Sequence, residues 1–223
     1  MPKYKQEEIT PFIPDETELD ALINGAHGRK LATYLQALKE TFGDPSEVLR
    51  IEWIDMSEKE STIKSNHPVK GHSPRTLQVS NKLIAMINCL PRTSTRIFQV
   101  KYSSIYCCFN KLRKRLADLH QNPRLLSIEL RTFRHWGGTQ IAFLTNGNVL
   151  MVKKLLGHKS IVNSMKYIGM IQFKDDQYET TTATSVEEIL KLGQAGWVKY
   201  DEVAVSGITF HCYRKPKRYN NYV

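Results

Sequence analysis

The chemistry-bearing residues of this chain crowd into the stretch from Glu129 to Tyr167. Arg131-Thr-Phe-Arg134 sets two guanidinium groups three residues apart. Leu155-Leu-Gly-His158 presents an imidazole just past a glycine, and Lys166-Tyr167 adds a phenol nine residues beyond it. A guanidinium offers its donors in a planar fork, so two of them can grip the oxygens of one phosphate. A phenol has a free pKa of about 10 and becomes a nucleophile only with cations nearby. A histidine beside it can donate to a phosphate oxygen or help take the phenolic proton. When phosphorus is attacked, negative charge gathers on its equatorial oxygens, and preorganised cations there lower the barrier. Taken singly, Tyr167 reads as a packing residue and Leu-Leu-Gly-His as a helix stop; their joint spacing with Arg134 carries the chemical reading.

These residues need helices to hold them. Residues 132–144 have a helical pattern and Asn146-Gly-Asn148 makes a turn. Residues 149–156 form another helix closed by Gly157, and Ser160 is expected to cap a last one through Ile168 that carries the tyrosine. Upstream, Pro2, Pro11 and Pro14 mark residues 1–14 as an extended lead-in. Asp15 with Glu18 forms a capping box ahead of Leu19, Leu22 and Ile23 at helical spacing. Residues 29–41 keep Leu31, Leu35 and Leu38 on one face, Gly43 is expected to stop that helix, and Pro45 opens a short one through Arg50.

Residues 61–64 and 75–79 read as two strands joined by a polar turn containing Lys70-Gly71. Ser80 caps a helix over 81–89 that Pro91 ends. Residues 102–120 form a basic helix with Lys111, Arg113, Lys114 and Arg115 clustered before Asn122-Pro123. That cluster is either a solvated face or a set of phosphate contacts. Residues 180–184 read as a Thr-rich spacer, 185–192 as a helix, and 197–200 with 207–213 as a hairpin bearing Trp197, Phe210 and Tyr213, followed by the basic tail Arg214-Lys-Pro-Lys-Arg218. The hairpin either docks on a neighbouring subunit or folds back on its own domain. The pattern is that of a mainly α protein with a small antiparallel β-sheet, divided into a lead-in (1–14), a principal domain (15–172) and a C-terminal segment (180–218).

The bulk numbers fit a polyanionic partner. Of 223 residues, 32 are Lys or Arg and 22 Asp or Glu, a net charge of +10, which draws DNA or RNA through a salt-sensitive field without selecting either. With 41% hydrophobic residues the chain can build one good-sized core. It holds no run of 18 apolar residues, and its first residues lack the apolar stretch of a signal peptide, so a soluble intracellular protein without membrane contact is expected. Cys89, Cys107, Cys108 and Cys212 make no CxxC pair and read as reduced thiols. His67 and His72 flank a Pro and a Gly and read as turn residues on the surface rather than as metal ligands.

The run Leu130-Arg-Thr-Phe-Arg-His-Trp136, with Leu-Leu-Gly-His158 and Tyr167 at these distances, resembles the catalytic domain of tyrosine recombinases, the phage-integrase family, and most of all its archaeal integrase-like members. The resemblance extends from about Phe12 to Tyr167, through residues 45–53 and Arg75-Thr-Leu. It implies the DNA breaking-rejoining fold and double-stranded DNA as partner. It also implies a dimer or tetramer on that DNA, in the cytoplasm at the nucleoid. In such a reaction Tyr167 attacks a phosphodiester to give a 3′-phosphotyrosine and a free 5′-hydroxyl. The bond energy stays in the phosphotyrosine link, so neither ATP nor a metal or other cofactor is needed. Arg134 and Arg131 would stabilise the phosphate, His158 would donate or take a proton, and Lys70 matches the general acid for the 5′-oxygen, with Lys64 one shift of the ribbon away. Arg75 joins the basic helix residues as an expected DNA contact. The family's helical clamp domain is not recognisable ahead of residue 15, so the chain reads as a catalytic half with weaker, more salt-sensitive DNA affinity.

Two positions depart from the family pattern. Where the family reads Thr-Gly-x-Arg before Ser-Glu, this chain reads Thr41-Phe-Gly-Asp-Pro-Ser-Glu47, which puts Asp44 in place of the first active-site arginine. Losing one such donor costs on the order of 3 kcal/mol, and a carboxylate adds repulsion. Arg131 stands where histidine is usual and returns one positive charge. Asp44 is expected to pair with Arg131 or Arg134; alternatively Arg50 or Arg29 fills the empty role. Three functions follow: a recombinase or integrase domain, an impaired relative that binds DNA, and a type IB topoisomerase-like enzyme, against which the Leu-Leu-Gly-His spacing argues.

Overall fold

In the computed structural model, which describes residues 11–69, 71–170, 178–205 and 207–216, one helix is surrounded by the rest of its unit. Helix α2 (Arg29–Thr41) packs against α1 (Glu16–Asn24), α3 (Pro45–Val48), α4 (Asn81–Asn88), α5 (Tyr102–Leu119) and α6 (Thr132–Leu144). Leu35 and Leu38 are wholly buried as their spacing predicts, while Leu31 is only partly buried. Because α2 is enclosed on several sides, polar residues are buried with it and must be paired. Lys39 meets Glu16 at 2.8 Å and Asp20 at 2.6 Å, and Glu40 accepts from the Ser80 amide and hydroxyl, both at 2.7 Å.

Several expected caps are present. Asp15 and Glu18 form the capping box of α1, the Ser80 hydroxyl accepts from Leu83 N at 3.1 Å to start α4, and Gly157 ends α7 (Val149–Leu156) in the left-handed region at φ 68°. The stop of α2 differs from expectation. Phe42, not Gly43, is the left-handed residue, at φ 50°. A non-glycine residue is strained there, and the ring holds it: a Cβ on Gly137 of α6 would lie 2.0 Å from Phe42 Cδ1, so only glycine lets Phe42 in. Helix α8 (Val162–Ile168) also begins later than expected, with Ile161 rather than Ser160 at its N-cap.

A small antiparallel sheet flanks the helices in the order β1 (Met56–Ser57), β2 (Thr62–Ser65), β3 (Arg75–Gln78), adding one short strand to the two expected. Ile63 faces Leu77 and Ser65 faces Arg75. Strand side chains alternate between faces, so Arg75 points inward in phase with buried Leu77 and Val79. Helices α6, α7 and α8 pack on one another, and α7 also packs on β3.

The described residues from 178 onward form a second compact unit. Residues 180–184 were expected as a spacer, yet β4 (Tyr178–Ala183) takes most of them, because β-branched threonines suit an edge strand paired with β6 (Ile208–Pro216). The sheet order is β4-β6-β5, with β5 (Val198–Val205) and β6 forming the expected hairpin at greater length. Helix α9 (Val186–Gln194) starts on Ser185, whose hydroxyl accepts from Glu188 N. Of the basic tail, Arg214 lies over the rings of Tyr178 and Tyr200, and residues 217 and 218 fall outside the described residues. No helix among the described residues is long and apolar enough to cross a membrane.

Candidate active site

Helix α6 supplies the first part of the site. Arg131 is its N-cap, and Arg134, His135 and Gly138 follow at spacings that share one helical face. Arg134 is 4% exposed and engaged at both terminal nitrogens: Nη1 donates to Phe42 O at 2.6 Å, Nη2 donates to Leu156 O at 2.7 Å, and His72 Nε2 lies 3.5 Å from Nη2. The left-handed turn at Phe42 and the glycine stop after Leu156 thus both aim backbone carbonyls at one guanidinium. Burial and the neighbouring Arg75 cation lower the Arg134 pKa, while Tyr167, Glu47 and Asp44 oppose this.

Tyr167, 6% exposed, comes from α8 and lies against α6. A Cβ on Gly138 would be 2.6 Å from Tyr167 Cε1, so the glycine makes room for the ring. The Tyr167 hydroxyl is 3.4 Å from His135 Nδ1, and its ring stacks on His158 with centroids 6.0 Å apart and planes 9° from parallel. The phenol pKa is raised overall: burial raises it, and Arg134 and then Arg131 offset part of that rise.

His158 sits past Gly157, with Nδ1 2.9 Å from Ser164 Oγ. Burial, then Arg134, His72 and Arg75, lower its pKa to about 4, so it is neutral at pH 7. His135 is lowered too, by burial and then by Arg131, Arg134 and Lys166. Neutral imidazoles can accept a phenolic proton, which imidazolium ions cannot.

Glu47, in the first turn of α3, ties the sheet to this cluster. Its Oε1 is 2.6 Å from His72 Nδ1 and accepts from Val69 N at 3.2 Å; its Oε2 pairs with Arg75 Nη2 at 2.8 Å and accepts from Asp44 N at 3.2 Å. Burial would raise its pKa, but Arg75, His72 and Val69 outweigh that and hold it low. The His72 ring is 5.9 Å from that of His158. His72 is therefore not the surface turn residue its Gly-rich setting suggests, since the Glu47 carboxylate draws it inward; His67 is exposed as expected.

The sequence reading thus named Arg131, Arg134, His158 and Tyr167, and the fold brings them together; Lys70 lies outside the described residues, and Lys64 is exposed on β2. The expected ion pair of Asp44 with Arg131 or Arg134 does not occur among the described residues. As N-cap of α3, Asp44 turns its Oδ1 to Ser46 N at 3.1 Å and Ser46 Oγ at 2.7 Å, where the positive end of a helix favours a carboxylate, and it attracts Arg134 only through space. Arg50 and Arg29 are exposed and act on none of Arg134, His135, His158 or Tyr167, so neither fills that role.

The basic helix splits in two. Lys111 and Lys114 are exposed. Arg113 donates to Leu126 O and Ile128 O, and Arg115 bonds His27 and Gly25 O, so these two brace neighbouring segments. Arg75 is buried rather than set on a groove surface, because its strand parity turns it inward. His135, His72 and Glu47 were missed; the stripe Arg131, Arg134, His135, Gly138 could have revealed the first, while His72 and Glu47 left no local signal. No group of three His, Cys, Asp or Glu among the described residues is placed to hold a metal ion.

No protein-family model matches the sequence, and no curated protein does either. Solved structures do match the fold. XerA recombinase aligns at 14% identity and TM-score 0.58 over 86% of this chain and 68% of its own. The Tn1549 transposon integrase in complex with transposon right end DNA aligns at 12% identity and TM-score 0.62, over 86% of this chain and 69% of its own. A lambda integrase dimer bound to a COC′ core site aligns at 11% identity and TM-score 0.55 over 76% of this chain; this chain spans about half, 52%, of that one. The chain therefore has the mainly α, small-sheet fold of tyrosine recombinase catalytic domains.

Proposed function

We propose that this protein cleaves and rejoins double-stranded DNA through a 3′-phosphotyrosine, as a site-specific recombinase or integrase domain. The observation that carries the proposal is the setting of Tyr167, whose ring stacks on that of His158, whose hydroxyl is 3.4 Å from His135 Nδ1, and on which Arg134 and Arg131 act as cations. Similarity in fold to recombinases solved on DNA supports the same reading.

The step balances without a cofactor. Tyr167 Oη forms a bond to phosphorus as the bond to the 5′-oxygen breaks; the phenolic proton passes to His135 Nδ1, 3.4 Å from the hydroxyl. Arg134 and Arg131 hold the charge that builds on the equatorial oxygens. Lys70 is proposed to give the 5′-oxygen its proton. Rejoining runs the same steps in reverse with the 5′-hydroxyl of another strand. Lys111 and Lys114 would contact the phosphates of the duplex, the protein would act as a dimer or tetramer on its site, and it would work at the nucleoid.

A second reading has its own observation. Asp44 stands where the resemblance expects an arginine, and both terminal nitrogens of Arg134 are given to backbone carbonyls, which would suit an impaired relative that binds DNA without cutting it. Incubation with nicked suicide substrates separates the two readings. A covalent adduct lost in Tyr167→Phe supports the transferase. An adduct formed only by Asp44→Arg supports the impaired relative, and none with any variant removes the strand-transfer proposal.

A further inference from the structure

One charged group near the site has donors without a hydrogen-bond partner among the described residues. Arg75 is 8% exposed, and its Nη2 is held by Glu47 Oε2 at 2.8 Å. Its Nε and Nη1 are buried and have no hydrogen-bond partner among the described residues. Orphaned donors on a buried cation are costly, and a fold that keeps two of them on one side chain calls for an acceptor from outside. Neutral acceptors already serve Arg134, whereas the single carboxylate of Glu47 is shared by Arg75 and His72.

The placement identifies the acceptor's chemistry. Arg75 acts electrostatically on both Arg134 and His158, so the two guanidinium groups belong to one cluster. Gly157, left-handed at φ 68°, has its Cβ position 2.9 Å from Arg75 Nη1 and 2.8 Å from Ser73 O, so no side chain can be inserted between the His158 turn and Arg75. Ser73 N donates to Gly157 O at 2.8 Å and fixes that approach. Two buried guanidinium groups in one cluster are suited to a tetrahedral oxyanion.

We propose that Arg75 is a second phosphate-gripping residue of this site: Glu47 holds its Nη2, and its Nη1, the nitrogen nearest the Gly157 turn, binds a non-bridging oxygen of the DNA phosphodiester beside Arg134, supplying the guanidinium that position 44 lacks. This rests on the strand-transfer reading above and assigns Glu47 the part of a positioning residue. Both open donors are buried, so anion entry requires the side chains around Arg75 to part.

Two readouts on the full chain test the proposal. In the first, orthovanadate as a phosphate mimic raises the melting temperature of the unmodified protein. That rise falls by at least half in Arg75→Gln and Arg75→Lys, and stays in Lys111→Ala. In the second, the rate of covalent adduct formation on nicked DNA drops at least a hundredfold in Arg75→Gln. Adding Asp44→Arg to Arg75→Gln restores it by tenfold or more, which a merely structural loss would not allow. Arg75→Lys keeps a cation for Glu47 and should fold, so it decides the matter if Arg75→Gln does not. An unchanged vanadate shift in Arg75→Lys, or a double variant no better than Arg75→Gln while Asp44→Arg alone is active, overturns the assignment. If no variant cuts DNA, the strand-transfer reading falls and the vanadate shift still decides whether Arg75 grips an anion.

Discussion

Arg134 Nη1 donates to the backbone oxygen of Phe42 at 2.6 Å, and Phe42 is the left-handed residue that ends α2. A strained turn and a buried cation therefore stabilise each other. The turn aims a carbonyl at the guanidinium, and the guanidinium donates to it at 2.6 Å.

Removing that cation should cost stability before it costs chemistry. Arg134→Met removes two charge-assisted hydrogen bonds, to Phe42 O and Leu156 O, for a loss of about 2–4 kcal/mol. Urea denaturation reads this directly, and a midpoint equal to that of the unmodified chain would show that the two bonds contribute nothing.

Gly138→Ala puts a methyl group 2.6 Å from the Tyr167 ring. Alanine favours the helix by up to about 1 kcal/mol, but overpacking against a buried ring costs about 1–3 kcal/mol. The variant should be less stable on balance and slower to form the covalent adduct while binding DNA normally. Unaltered adduct formation would mean the tyrosine does not need this seat.

His158 makes stability depend on pH. Its folded pKa, lowered from 6.5 to about 4, lies below that of the unfolded chain, so between those values the unfolded state takes up the proton first. The contribution is fully present above about pH 6.5 and is lost as pH falls toward 4, to an extent on the order of 3 kcal/mol. Urea midpoints measured from pH 7.5 to pH 4 should fall over this window, and less steeply in His158→Gln. Parallel curves for the two proteins would remove the histidine as the cause.

The two halves of the basic helix should separate in a salt titration. Lys111→Ala or Lys114→Ala should each lower the slope of log affinity against log salt by about 0.9. Arg113→Ala should leave that slope unchanged and lower stability by about 1–3 kcal/mol, because it loses the carbonyls of Leu126 and Ile128. A smaller slope for Arg113→Ala would place this arginine on the DNA instead.

The sequence by itself determined the helices of the site and the four side chains that the fold gathers there. Caps and stops such as Asp15 with Glu18, Ser80 and Gly157 are local chemistry, and Arg131, Arg134, His158 and Tyr167 stand at spacings that local structure preserves. Tertiary structure alone decided the rest. Phe42 takes the left-handed turn in place of Gly43 because Gly137, some ninety residues away, opens a slot for its ring. The threonines at 180–182 became a strand because β6 offered an unpaired edge. His72 turned inward because Glu47, twenty-five residues before it, placed a carboxylate 2.6 Å from its ring. Each of these depends on groups distant in sequence, and the energy of a buried charge or ring is set by the neighbours the fold delivers rather than by those along the chain.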